Sequence, residues 1–332
     1  MNDKEILHII STSDQNEIDS LLSEARKARE MFYGKSVYIR GLIEISNYCM
    51  NDCYYCGIRF SNSKIRRYRL SMPEILECCR AGDKLGIKTF VLQGGEDPWF
   101  TGDLGAEIIS AIRQEFPGHA ITLSLGERSE ADYELFYKSG ADRYLLRHET
   151  ASFSHYAKLH PPAQTFESRR QALKTLKKTG YQIGAGFMTG SPHQTPECLL
   201  ADIRFLEELQ PQMIGIGPFL PQKDTPFGAQ PPGSLVLSLK MIALCRLLLP
   251  KTLIPATTAM GSITPNGREL ALNAGANVVM PNLSPEEAKK LYIIYDNKAF
   301  GGSEAAQNLS LLKEKIMNAG FIPDMSRGDA LF

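Results

Sequence analysis

Three cysteines that lie close together in the sequence, Cys49, Cys53 and Cys56, are the residues with the clearest chemistry. Three residues separate the first two and two residues separate the second pair, so one short loop can direct all three thiolates at one centre. Thiolates are soft ligands that suit iron-sulfur clusters or zinc. A structural zinc site closes with a fourth protein ligand, whereas a 4Fe-4S cluster on three cysteines leaves one iron open to an exchangeable ligand. The spacing therefore favours an open cluster.

The other four cysteines offer no second metal-binding pair. Cys78, Cys79, Cys198 and Cys245 fall on predicted helices, where we expect small core residues. An odd total of seven cysteines, in a chain that does not begin like a signal peptide, argues against a disulfide framework. We expect a cytoplasmic protein that uses cysteine for metal or redox chemistry.

Polar residues follow several predicted strands, where α/β barrels place their chemistry. The loop Gln93-Gly94-Gly95-Glu96 allows the backbone to come close to a ligand, although a tight turn with a helix-capping acid is the alternative. Alternation along the next-but-one strand places Arg143, Arg147 and Glu149 on one face. Arginines in a barrel lumen would need a ligand carboxylate or Glu149 as partner, and a solvent-facing salt bridge is the alternative.

Further hydroxyl-bearing residues lie at or beyond strand ends. The pair on the third strand shares one face and leaves a small, polar lumen. The threonines that end the seventh strand offer hydroxyls, but threonine is also an ordinary strand residue. Two tyrosines, three residues apart on a helix predicted after the eighth strand, can lean over the barrel mouth or pack in the core. These residues are Thr122, Ser124, Thr257, Thr258, Tyr292 and Tyr295.

The elements that position these residues alternate in a βαβ pattern. After about residue 36, short β-branched apolar runs alternate with longer amphipathic stretches, as parallel sheets require. Eight such runs predict an α/β fold, a single (β/α)8 TIM barrel. The runs are 38–45, 88–92, 120–125, 143–147, 182–188, 213–218, 252–257 and 277–280. Residues 1–36 are predicted to form an N-terminal helical cover, and residues 37–332 one barrel domain.

Composition excludes several classes of protein. Lys and Arg number 37, as do Asp and Glu, so the chain lacks the basic excess of a nucleic-acid-binding protein. At 43% hydrophobic and 22% charged residues, it resembles ordinary globular proteins and not disordered ones. No stretch has the roughly 18 uncharged apolar residues of a membrane span. We therefore expect neither nucleic acid nor a membrane as partner.

The cysteine spacing, with Tyr55 directly before Cys56, resembles the motif of the radical S-adenosylmethionine (SAM) superfamily. Longer stretches resemble the HydE family of FeFe-hydrogenase maturases over nearly the whole chain. This resemblance implies one oxygen-sensitive 4Fe-4S cluster, with SAM on its open iron and reductive cleavage of SAM to a 5′-deoxyadenosyl radical. The stretches are 40–49, 92–98, 122–127, 143–150, 215–219 and 254–261.

The resemblance also implies roles for individual residues. The cluster would be held by Cys49, Cys53 and Cys56. SAM would be bound by Gln93, Gly94, Gly95, Glu96, Ser124, Glu149 and Arg169. The substrate cavity would be lined by the catalytic residues Arg147, Thr122, Thr257, Thr258, Tyr292 and Tyr295, with Arg147 on a cysteine carboxylate.

The implied substrate is a cysteine-bound iron carbonyl cyanide unit, supplied by a sister radical SAM maturase during assembly of the two-iron subcluster of the H-cluster. A hydrogenase maturation scaffold or GTPase and a reducing electron donor are the other implied partners. Many HydE proteins carry further C-terminal cysteines, and none follows Cys245 here, so we predict a single cluster.

Three alternatives remain open from the sequence. Methylornithine synthase, the lysine mutase of pyrrolysine biosynthesis, is a related radical SAM enzyme with the same barrel. Biotin synthase is less favoured, because its second cluster needs cysteines within the barrel strands and none of the predicted runs contains one. A non-catalytic iron-sulfur scaffold is the third alternative, and cleavage of SAM would distinguish an enzyme from it.

Overall fold

A computed structural model describes residues 1–298 and 306–331. The strands in these residues are β1 (Ser36–Ile39), β2 (Gly41–Ser46), β3 (Thr89–Gly94), β4 (Ala120–Ser124), β5 (Arg143–Leu145), β6 (Gln182–Thr189), β7 (Met213–Pro218), β8 (Val278–Val279) and β9 (Ile322–Asp324). The α-helices are α1 (Asp3–Ser11), α2 (Gln15–Tyr33), α3 (Met72–Lys84), α4 (Gly102–Glu115), α5 (Glu130–Lys138), α6 (Phe153–Leu159), α7 (Phe166–Thr179), α8 (Pro196–Leu209), α9 (Leu235–Leu248), α10 (Thr258–Ile263), α11 (Gly267–Asn273), α12 (Glu286–Leu291) and α13 (Leu309–Asn318).

Parallel strands form the wall of a barrel. Six of them lie side by side in the order β2-β3-β4-β5-β6-β7, with helices between successive strands. Single parallel bridges continue the wall from β7 to Leu253, from Pro255 to β8, and from Asn282 back to β2. β8 also pairs with β1. The predicted (β/α)8 barrel is thus confirmed.

The strands differ from the predicted runs in several places. The first run is divided at Arg40, so that β1 pairs with β8 and β9 while β2 pairs with β3. The run at 252–257 forms bridges at Leu253 and Pro255 but no continuous strand, because proline has no N–H to donate to a ladder. β9, which pairs with β1 beside the barrel, was not predicted from the sequence.

The N-terminal helices lie against the outside of the barrel. Helix α1 packs on α8 and α9, and α2 packs mainly on α9. Ile6 and Ile10 bury the apolar face of α1. Lys240 of α9 donates hydrogen bonds to the carbonyls of Ile10 and Thr12, at 2.6 and 2.9 Å, which fixes the turn between the two helices. In the described part of the chain, helices fall short of the length and apolarity that crossing a membrane would require.

The C-terminal segment closes the end of the barrel where the strands begin. Arg143, fully buried, makes a 2.6 Å ion pair with Asp329. Arg40 donates to the carbonyl of Gly328 at 3.0 Å. The expectation that a ligand carboxylate or Glu149 is the partner of Arg143 is therefore wrong, because a residue 186 positions away reaches it first.

Candidate active site

The loop that follows β2 carries Cys49, Cys53 and Cys56 at the barrel mouth. Arg67 organises this loop by donating to the carbonyls of Asn47 at 2.5 Å and Ile58 at 2.7 Å. Its guanidinium also places positive charge near two of the thiols. The four remaining cysteines are buried and lie on helices, as predicted.

The three cysteines are half-buried, and their thiols are close enough to influence each other. Burial raises the pKa of Cys53 to about 12, and it also raises the pKa values of Cys49 and Cys56. The side-chain amide of Gln164 donates a hydrogen bond to the sulfur of Cys53 at 3.4 Å. Backbone groups of Asn51 and Glu96 near Cys49, and of Ile58 near Cys56, act to lower the pKa values of those two thiols. Soft ligands in these surroundings fit an iron-sulfur cluster, whose iron supplies the positive charge that buried thiolates need.

Gly95 is required by the cysteine loop. A Cβ at this position would lie 2.2 Å from the carbonyl oxygen of Tyr48 and 2.7 Å from the Cβ of Cys49. The backbone of Glu96 also accepts the N–H of Met50 at 2.9 Å. The two-glycine loop therefore packs closely on the cysteine loop, and its approach to a ligand stays a prediction.

Arg169 of α7, a predicted SAM residue, contacts a second one, Glu96. Its guanidinium donates to Glu127 at 2.5 Å, to the carbonyl of Arg147 at 2.9 Å and to Glu96 at 3.4 Å. Burial raises the pKa of Glu96, and Arg169 acts in the opposite direction. Gly126 adopts φ +73° and lies so close to Glu96 that a side chain there would overlap it. These contacts hold one carboxylate beside the cysteine loop.

Arg147 and Glu149 face each other without a well-aligned hydrogen bond. The nearest nitrogen and oxygen are 3.1 Å apart. Among the described residues, the Nε and Nη2 atoms of Arg147 have no hydrogen-bond partner although both are buried. Glu149 adopts φ 65°, unusual for a residue with a side chain, and its N–H donates to Gly186 at 3.0 Å. The arrangement presents guanidinium donors to the lumen, where a carboxylate would satisfy them.

Two glycines of β7 make room for predicted cavity residues. A Cβ at Gly215 would lie 3.9 Å from the side chain of Arg147. A Cβ at Gly217 would lie 2.8 Å from the hydroxyl of Thr257. Because Gly215 and Gly217 share one face of β7, Arg147 and Thr257 border the same part of the lumen. Thr258 instead accepts a 3.2 Å hydrogen bond from Arg268, on the side of α11.

The strand register places Glu44, Gln93 and Ser124 side by side on the lumen face. Thr122 lies two residues below Ser124, and its hydroxyl is buried without a hydrogen-bond partner among the described residues. The amide of Gln93 donates to the hydroxyl of Tyr292 at 3.4 Å. The lumen is therefore polar at this level, as predicted.

Tyr292 and Tyr295 do not lie on a helix. Helix α12 ends at Leu291, Tyr292 is its buried C-cap, and Tyr295 lies in a bend. The intervening backbone packs on the cysteine loop, because Gly57 donates its N–H to the carbonyl of Ile294 at 2.9 Å. A Cβ at Gly57 would lie 2.1 Å from the carbonyl oxygen of Ile293. We call residues 292–298 the mouth segment.

Glu44 and Lys298 form a buried ion pair that sequence reasoning missed. The carboxylate of Glu44, which is 0% exposed, contacts the ammonium of Lys298 and accepts a 2.9 Å hydrogen bond from Asn282. Lys298 also donates to the carbonyl of Tyr292 at 3.0 Å and lies 4.7 Å from the centre of its ring. The sequence did contain a signal for this pair, because Glu44 is an acidic residue within the apolar run of β2. The pair fastens the mouth segment to the barrel wall.

Comparison with known proteins places this site in a family. Residues 43–206 match the radical SAM superfamily. The chain is 46% identical to the "[FeFe] hydrogenase maturase subunit HydE" of Thermotoga maritima over 87% of this chain and 82% of that protein. It is 32% identical to a 3-methylornithine synthase of Methanosarcina barkeri over 89% of this chain and 83% of the relative.

A solved structure agrees with the sequence relatives. The crystal structure of methylornithine synthase (PylB) superposes with a TM-score of 0.84 and 28% sequence identity, covering 97% of this chain and 94% of that one. The matched superfamily region includes the cysteine loop, Gln93 to Glu96, Arg147 and Arg169. The chain is therefore a radical SAM enzyme, and it belongs to the family of the [FeFe]-hydrogenase maturase HydE.

Proposed function

We propose that this protein binds one 4Fe-4S cluster through Cys49, Cys53 and Cys56 and cleaves SAM reductively inside its barrel. The observation that carries the proposal is the convergence of three cysteines in one loop, whose thiols lie close enough to influence one another, with the amide of Gln164 donating to Cys53 at 3.4 Å. The chemistry available when cluster and SAM are bound is one-electron reduction of the sulfonium, which yields methionine and a 5′-deoxyadenosyl radical.

In this proposal SAM lies between the cysteine loop and the carboxylates beside it. The carboxylate of Glu96, held by Arg169 at 3.4 Å, suits the SAM ammonium. Glu149 lies near enough to the thiols to affect their pKa values, so it is placed to bind a second positive or hydrogen-donating group of SAM. The SAM residues are then Gln93, Gly94, Gly95, Glu96, Ser124, Glu149 and Arg169.

We infer that the substrate carries a carboxylate and binds deeper in the lumen. Support comes from the unsatisfied donors of Arg147, whose planar guanidinium suits two carboxylate oxygens. We propose that this substrate is a cysteine-bound iron carbonyl cyanide complex used in hydrogenase assembly, and the 46% identity to a HydE maturase supports this choice. Thr122, Thr257, Thr258, Tyr292 and Tyr295 would line its cavity and exclude water.

The other partners in the proposal follow from the same kinship. A sister radical SAM maturase would supply the iron complex, a maturation scaffold or GTPase would receive the product, and a one-electron donor would reduce the cluster. The second candidate function is methylornithine synthesis from lysine. The observations that favour it are 32% identity to a synthase and the TM-score of 0.84 to PylB. Lysine would place its own carboxylate on Arg147.

The test is an anaerobic SAM-cleavage assay on the reconstituted enzyme. The protein receives SAM and dithionite, and 5′-deoxyadenosine is measured with no addition, with lysine, and with the iron-cysteine complex. We expect cleavage to be abolished in C53S and preserved in the matched control C245S, since Cys245 is buried in α9. An adenosylated sulfur product from the iron-cysteine complex supports the maturase. Methylornithine from lysine favours the synthase, and no cleavage under any condition favours the scaffold.

A further inference from the structure

Only one of the donor groups described above for the three thiols belongs to a side chain. The donor groups near Cys49 and Cys56 belong to the backbone, which is present whatever the side chain. Cys53 accepts a hydrogen bond from the amide of Gln164, 111 residues away, with Nε2 and Sγ 3.4 Å apart. Gln164 lies in the loop between α6 and α7, outside every motif that the sequence analysis identified.

The orientation of the Gln164 amide is fixed by its second contact. The backbone N–H of Asp52 donates to Gln164 Oε1 at 3.3 Å, so Nε2 is the end directed at Cys53. The backbone of Gln164 is held in turn, because its N–H donates to the carbonyl of Pro161 at 2.9 Å. A free thiol could also donate to Oε1, which is 3.6 Å away. A thiolate that holds iron has no proton to donate, so only the N–H···S bond remains.

A hydrogen bond to a cysteine ligand affects the two oxidation states of a cluster unequally. The reduced cluster carries one more negative charge, and the added electron density reaches the cysteine sulfurs. An N–H donor therefore stabilises the reduced state more than the oxidised state and raises the reduction potential. Because the amide is neutral, it exerts this effect without the larger change that a charged neighbour would produce.

We propose that Gln164 is a positioning residue that raises the reduction potential of the cluster through its hydrogen bond to Cys53. The proposal rests on the cluster part of the proposed function and does not depend on the substrate. The electron enters the cluster from a one-electron reductant, dithionite in the test, and no other bond changes. Gln164 thereby determines how strong a donor the enzyme needs before SAM is cleaved.

The test compares the midpoint potential of the reconstituted cluster in the wild type, Q164L, Q164E and the control Q171L. Gln171 lies on the neighbouring helix α7 and bonds only Thr175 among the contacts described for its amide, at 3.4 Å. Reduced cluster is measured by electron paramagnetic resonance during an anaerobic redox titration. At one applied potential, we expect the ratio of reduced to oxidised cluster in Q164L to be at least threefold lower than in the wild type. A tenfold change in this ratio corresponds to a shift of 59 mV in midpoint potential. The midpoint potential of Q164E should be lower still, because the glutamate adds a negative charge beside a negatively charged cluster. The midpoint potential of Q171L should match that of the wild type.

Several outcomes would overturn the inference. Equal potentials for Q164L and the wild type would show that the hydrogen bond does not tune the cluster. Q164E keeps an oxygen for the Asp52 N–H, so it carries the test if Q164L loses iron. Loss of iron from both variants would assign Gln164 a role in loop structure instead. A wild type that binds no iron would refute the proposed cluster itself, which separates that failure from this one.

Discussion

Removing Lys298 should reveal how firmly the buried ion pair holds the mouth segment. In K298M the carboxylate of Glu44, 0% exposed, would keep, among the described residues, the 2.9 Å hydrogen bond from Asn282 and the charge of the nearby Lys289. Breaking a buried pair by deleting one partner costs about 3–5 kcal/mol, since an uncompensated charge stays inside. We expect K298M to lose about 3 kcal/mol of unfolding free energy. The double variant E44L/K298M should lose about 1 kcal/mol or less, because two apolar groups replace the pair.

The assay is urea unfolding of the four proteins of this double-mutant cycle, at pH 8 and pH 5.5. Burial raises the pKa of Glu44 and Lys298 lowers it, so in K298M the pKa of Glu44 rises further. The native state of K298M then binds more protons than the unfolded state, and its stability falls as pH rises above the unfolded value of about 4.3. The penalty of K298M should therefore be smaller at pH 5.5 than at pH 8.

A matched control is K290M, on the exposed face of α12, where Lys290 pairs with the exposed Glu286 and Glu287 at 3.7 and 3.5 Å. It should change stability by less than about 0.5 kcal/mol. The reasoning would be refuted by a K298M penalty below about 1 kcal/mol that is the same at both pH values. A double variant as unstable as K298M would also refute it, because removal of both charges should relieve the cost.

Four other substitutions, at three positions, test the site and the structure around it. G95A puts a Cβ 2.7 Å from that of Cys49, so it should lower the iron content after reconstitution by at least half, and wild-type iron content would contradict the packing argument. R147K keeps the positive charge but loses the planar pair of donors that suits a carboxylate. We expect 5′-deoxyadenosine still to form without substrate, while the KM for the carboxylate substrate rises at least tenfold. An unchanged KM would show that Arg147 does not bind the substrate. Burial raises the pKa of Asp202 well above its ordinary value, so the neutral asparagine of D202N should lower the free energy of unfolding in urea by less than about 1 kcal/mol. D202V leaves the Ala151 N–H without its acceptor and should lower it by about 1–3 kcal/mol. Equal losses in the two variants would contradict this reasoning.

Local patterns predicted the parts of the site that depend on neighbouring residues. The spacing of Cys49, Cys53 and Cys56 indicated the cluster loop, and strand alternation placed Thr122 and Ser124 on the lumen face. Both features follow from the geometry of a short loop or a single strand. The same reasoning covered the barrel, because each βα unit repeats one hydrophobic pattern.

Contacts across the fold escaped such reasoning. Gln164 reaches Cys53 across 111 residues, and Lys298 reaches Glu44 across 254. Neither residue has a local pattern that marks it, because a loop glutamine or a lysine near a chain turn is usually solvent-exposed. The helix predicted through Tyr292 failed for a related reason: the backbone beyond Leu291 is fixed by long-range bonds to the cysteine loop, which override local helix preference.

The contact of Gly57 with the mouth segment joins the cysteine loop to the backbone at the barrel mouth. The residue directly after Cys56 donates to Ile294, so one hydrogen bond stabilises both the loop that would receive iron and the mouth segment in the arrangement observed. Coupling of this kind is reciprocal: if cluster insertion favours the closed mouth, a ligand that closes the mouth must favour retention of the cluster by the same free energy. An enzyme with its substrate in place should therefore release iron to a chelator more slowly than an empty one.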